Sequence, residues 1–84
     1  GNNSALQFVL DNEYVELKQP EVPVSAQEVF ALYRRWASDA GVKVMGRNAF
    51  YEALGDGGGR LGVVVADDRS GLKTVFGIGL KKNP

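Results

Sequence analysis

Residues 24–55, VSAQEVFALYRRWASDAGVKVMGRNAFYEALG, decide how this chain folds. They read as a long helix, a short connection and a second, shorter helix. Ser25-Ala26-Gln27-Glu28 is a capping box. In that motif the Ser25 hydroxyl accepts from the Glu28 N–H, and the Glu28 carboxylate accepts from the Ser25 N–H. Val24 and Val29 flank the cap as a hydrophobic staple. Val29, Phe30, Tyr33, Trp36, Ala37 and Ala40 then recur at helical period and define one buried stripe over a helix at 26–40. Gly41 stops it, because glycine accepts the left-handed conformation that other residues resist. Arg47 to Leu54 form the shorter helix, ending at Gly55. A long anchored helix followed by a turn and a short helix is the helix-turn-helix plan.

Upstream, residues 4–14 read as a first helix capped by Ser4, with Leu6, Val9, Leu10 and Tyr14 on one side. Residues 15–23 form a connection, since Pro20 and Pro23 push their predecessors towards extended geometry, and Glu21 to Val24 has room for a brief strand. Downstream, Gly55-Asp56-Gly57-Gly58-Gly59 reads as a flexible linker. It follows a helix and lacks the Lys-Ser/Thr pair of a phosphate-binding loop, so nucleotide binding is not expected. Leu61–Ala66 and Lys73–Leu80 read as a β-hairpin closed by a turn at Asp67–Gly71. Phe76, Ile78 and Leu80 are its bulky buried face, against a thin face of Val75, Gly77 and Gly79. Lys81 to Pro84 form a frayed tail. Three helices and a hairpin wing make a winged helix-turn-helix, an α+β fold. An isolated hairpin is marginal in water, so this one is expected to pack on the helices.

The totals bound the chemistry. Eighty-four residues with 44% apolar side chains make one small domain. Without cysteine or histidine there is no disulfide framework, no imidazole base and no Ser-His-Asp or Cys-His nucleophile. Asp67 and Asp68 read as turn formers, with no third ligand for a metal. No run reaches membrane-spanning length and no signal peptide is visible, so a cytoplasmic domain is expected, with no cofactor and no small-molecule substrate. Gly1 reads as a residue left by tag removal, and the domain as a piece of a larger protein. Net charge is zero but uneven, with −3 over residues 1–40 and +3 over residues 41–84. That split points the second half towards an anionic partner.

The order of Val22-Pro23-Val24-Ser25-Ala26, Leu32-Tyr33-Arg34-Arg35-Trp36, Ala40-Gly41, Phe50, Leu54 and Gly77-Ile78-Gly79-Leu80-Lys81 resembles the C-terminal domain of phage and plasmid primase–helicases. Those are replication proteins with a superfamily-three helicase core, and the likeness runs from about Leu6 to Lys81. It implies a winged helix appended to a replicative helicase, with a role in binding DNA at or near an origin. The catalysis would belong to the ATPase and primase of the parent chain. One position departs from the family pattern: Gly46 stands where a Ser or Thr cap is usual, and Arg47 is the only base in the helix that follows.

With Phe50, Ala53 and Leu54 turned to the core, Arg47, Asn48, Tyr51 and Glu52 fall on the open face. Arg pairs with guanine and Asn with adenine in a major groove, and Tyr51 is placed to reach a phosphate. Arg69 and Lys73 on the wing, Arg34 on the second helix, Lys43 in the turn and Arg60 before the wing complete the expected contacts to double-stranded DNA. Tyr33 and Trp36 share a stripe with Val29 and read as core. Two other roles remain open: docking of another replication protein, and transcriptional regulation.

Overall fold

The structure is a computed structural model that describes residues 3–81. It contains helices α1 (Ser4–Asp11), α2 (Ala26–Ala40) and α3 (Arg47–Gly58). Its strands are β1 (Val15–Leu17), β2 (Val24–Ser25), β3 (Val64–Asp67), β4 (Lys73–Phe76) and β5 (Ile78–Leu80). β1 pairs with β5, and β2, β4 and β3 form a second sheet in that order, with all pairs antiparallel. The described residues therefore make an α+β structure, with three α-helices and two small sheets among them. No helix among the described residues is long and apolar enough to cross a membrane. Residues 82–84 of the expected tail lie outside the described residues.

α2 has the boundaries its sequence predicts. The Ser25 side chain accepts from the Glu28 N–H at 3.4 Å. Gly41 takes a left-handed φ of 70° and its N–H caps Ala37 and Ser38. Ala26, Val29, Tyr33, Trp36 and Ala37 are buried, whereas Ala40, expected on the stripe, is exposed. Rings from all three helices meet here. Tyr33 stacks on Phe50 with centroids 4.4 Å apart, and Phe8 meets both Tyr33 and Trp36 edge-on at 5.8 Å. Tyr33 and Trp36 are thus core residues, and the Trp36 indole N–H donates to Asp11 at 2.8 Å.

α1 is shorter than expected and turned. Asn3 caps it by accepting from the Leu6 N–H, while Ser4 is buried against the Tyr33 hydroxyl at 2.8 Å. Ser4, Ala5, Phe8 and Val9 face inward, and Leu10 is 57% exposed. The helix ends where Asn12 turns left-handed at φ 59°. That reversal lets the chain enter β1 at Val15, in a segment expected to be only a connection.

The glycine run corrects a second expectation. Residues 55–58 are not a flexible linker but the last turn of α3, followed by a 3-10 turn at Gly59–Leu61. Helix propensity alone opposes this; close packing decides it. A Cβ on Gly57 would lie 2.6 Å from the Asn3 amide nitrogen, and one on Gly58 would lie 2.8 Å from the Val63 Cβ. The missing side chains let α3 press against the start of α1 and the approach to β3.

The hairpin forms, but its return strand breaks. β3 and β4 pair from Val64↔Phe76 to Asp67↔Lys73. At Gly77 the backbone turns to φ 94°, and a Cβ there would meet the Gly62 carbonyl oxygen at 2.1 Å. Beyond that kink β5 leaves β3 and pairs with β1, where Lys18 N–H donates to the Gly77 carbonyl and Lys81 N–H to that of Tyr14. The expected alternation fails for the same reason. Val75 and Ile78 are both fully buried, while Phe76 and Leu80 are half-buried.

Candidate nucleic-acid interface

A cleft runs between the first turn of α3, the start of α2 and the base of the hairpin. Arg47, Asn48 and Tyr51 line it from α3, Ser25 and Gln27 from the start of α2, and Asp67, Lys73 and Thr74 from the hairpin. β2 explains this convergence. It pairs Val24 with Val75 and Ser25 with Thr74, so the α2 cap is bonded directly to the wing strand. Thr74 in turn donates its hydroxyl to the Ala66 carbonyl at 2.9 Å, tying β4 to its ladder partner β3.

Arg47 and Asn48 are exposed in the first helical turn, as expected. The α3 N-cap is Gly46, which supplies extended geometry but no side-chain hydrogen bond. The turn before α3 is held instead by the buried Tyr33 hydroxyl, which accepts from the Met45 N–H at 3.0 Å. Tyr51 departs from the expected open face. Its ring is buried against Phe30 and Phe50, with centroids 6.3 and 6.0 Å away, and only its outer edge reaches the cleft.

Most of the hairpin charges are already engaged within the hairpin. Lys73 pairs with Asp67 at 3.0 Å across the β3–β4 ladder. The Asp68 carboxylate accepts from the Ser70 N–H, the Ser70 hydroxyl and the Leu72 N–H. Those bonds, the Ser70 hydroxyl foremost, hold its pKa below the ordinary 3.8 by stabilising the charged form. Asp68 is thus a turn former, as expected, whereas Asp67 is the last residue of β3 and the partner of Lys73.

The other expected contacts are dispersed. Arg69 is exposed in the hairpin turn, beside the cleft but not lining it. Arg34 lies on the outer face of α2, its guanidinium carbon 6.0 Å from the Phe30 ring centroid. Lys43 lines a separate hollow with Ser4, Gln7 and Met45. Arg60 is exposed in the 3-10 turn, at the opposite end of α3 from Arg47. Four of the eight expected residues therefore meet in one cleft: Arg47, Asn48, Tyr51 and Lys73. Ser25, Gln27 and Thr74 join them without having been singled out, because only the β2–β4 pairing brings them there. The one available signal was the extended Pro23-Val24 step before the capping box. No protein-family model matches the chain, and no curated protein or solved structure does so either.

Proposed function

We propose that the chain is a winged-helix domain that binds double-stranded DNA through the first turn of α3 and its hairpin. The observation that carries this reading is the wiring of the sheet. β2, the second of the two strands between α1 and α2, pairs with β4 of the hairpin, giving the order β2-β4-β3 and setting the wing beside an exposed Arg47-Asn48 pair. That is the arrangement in which the second helix of a helix-turn-helix enters a major groove and the wing meets the flanking backbone. The resemblance to the C-terminal domain of phage and plasmid primase–helicases supports the same role, as the origin- or template-binding module of a replication protein. The domain performs no catalysis in this reading; the ATPase and primase are other parts of the parent chain.

With about four to six phosphate contacts, binding is weak for one module and falls steeply with salt. An oligomeric parent strengthens it by holding several modules on one duplex. A second reading, docking of another replication protein, is favoured by one observation: Lys73 is already neutralised by Asp67, so the wing offers fewer free cations than its sequence implies. Anisotropy titrations of a labelled duplex at low salt separate the two. The DNA reading expects salt-dependent binding that weakens in Arg47→Ala and, less, in Lys73→Ala. Absence of binding at low salt, or equal binding by both variants and the wild type, sinks it in favour of a protein partner.

A further inference from the structure

The floor of the cleft holds an oxygen that the fold leaves unused. Tyr51 is 7% exposed, yet its hydroxyl has no hydrogen-bond partner among the described residues. The other tyrosines differ: Tyr14 donates to Asp39 at 3.1 Å, and Tyr33 bonds both Ser4 and the Met45 N–H. Every fully enclosed side-chain nitrogen or oxygen among the described residues is partnered. The Tyr51 oxygen must therefore emerge to solvent, and its residue lines the cleft and the adjoining hollow.

Its surroundings favour an anion. A helical side chain leans towards the helix N-terminus, so Tyr51 reaches back over the first turn of α3. The N–H groups of that turn have no intrahelical acceptor, and Gly46 gives them no side-chain cap. They carry the positive end of the helix dipole. Arg47, one turn before Tyr51 on the same face, has no carboxylate partner among the described residues, where Lys73–Asp67 is the ion pair present. Of the cleft's acids, Asp67 is paired with Lys73, and Asp68 keeps its charge but turns its carboxylate into the N–H and hydroxyl donors of its own turn. Glu52 and Asp56 line the adjoining hollow beyond Tyr51, which confines the favourable space to a single group.

We infer that this floor is a single-phosphate subsite, with the Tyr51 hydroxyl and the first-turn N–H groups of α3 as donors and Arg47 as the cation. It takes one phosphodiester of the nucleic-acid backbone, and in that respect rests on the DNA reading. Tyr51→Phe keeps the buried ring and removes only the unused donor. It is expected to leave the thermal midpoint unchanged and to weaken duplex binding about three- to ten-fold. The salt slope stays the same in that variant, because a neutral donor displaces no counterion, whereas Arg47→Ala reduces the slope by about one. Wild-type binding that Tyr51→Phe does not alter overturns the subsite and leaves the DNA reading intact. A large loss of thermal stability in Tyr51→Phe overturns it too, by giving the hydroxyl an internal role. If the wild type binds no duplex, the DNA reading and the phosphodiester assignment fail together. Inorganic phosphate titrated into labelled protein then separates the sources. Amide shifts at 47–49 in the wild type but not in Tyr51→Phe support a free-phosphate subsite, and no shift at those amides overturns that as well.

Discussion

α2 and α3 are neighbours in one core, yet they are held in different ways. α2 has a serine cap and a left-handed glycine stop, both written in its own sequence. α3 begins at a glycine with no side-chain cap and ends in glycines that weaken a helix. What α3 has instead is neighbours. Phe50 stacks on Tyr33, the Asn3 amide donates to the Ala53 carbonyl at 3.0 Å, and Gly57 and Gly58 allow close contact with Asn3 and Val63. The difference separates local from tertiary definition. The helix that anchors the fold carries its own signals, while the helix we propose to meet DNA is positioned from outside, and its N-cap makes no side-chain hydrogen bond.

Substitutions test that contrast in descending order of effect. Phe50→Ala removes the ring through which α3 grips α2, and should cost about 3–5 kcal/mol in denaturant unfolding. A smaller loss would mean that α3 is less dependent on α2 than its packing indicates. Gly58→Ala decides the sign of the glycine argument. Propensity alone would stabilise the helix by about 1 kcal/mol. Overlap with the Val63 Cβ at 2.8 Å predicts instead a loss of about 1–3 kcal/mol, read from the urea midpoint. Ser25→Ala removes the α2 cap and should cost about 1 kcal/mol, with amide exchange rising first near Glu28. Gly46→Ser should do the reverse for α3. The position has extended geometry and open space around a Cβ. A few tenths of a kcal/mol of added stability is therefore expected. If the subsite at the α3 N-terminus is real, the new hydroxyl also competes for the same N–H groups, and duplex affinity falls while stability rises.

Two tyrosines, Tyr33 of α2 and Tyr51 of α3, extend the lesson to the cleft. Tyr33 and Tyr51 are both buried rings, and sequence spacing assigned the first correctly to the core and the second to the open face. Periodicity could not separate them. Tyr51 directly follows Phe50, and the side of a helix that turns inward depends on where its neighbours lie. Phe30 of α2 covers Tyr51, and nothing in residues 47–54 announces that. Arg47 and Asn48 were legible because they open the helix, where side chains face solvent under almost any docking. The cleft they line was not legible, since Ser25, Thr74 and Lys73 reach it only through the β2–β4 ladder.

By itself the sequence determined α2 to the residue, the core rings Tyr33 and Trp36, the hairpin turn and the α+β class. Each of these rests on signals within a few residues: a cap, a period, a glycine or an Asx turn. Only the tertiary structure decided that the glycine run continues a helix, that Gly77 hands the return strand from β3 to β1, and that residues 15–17 form a strand at all. Those outcomes depend on contacts between residues far apart in the chain, such as Gly57 with Asn3 at close range and Gly77 with Gly62 across the hairpin. Val15 pairing with Leu80 spans almost the whole domain. Local propensity is weak beside such contacts, and no window along the chain contains both partners.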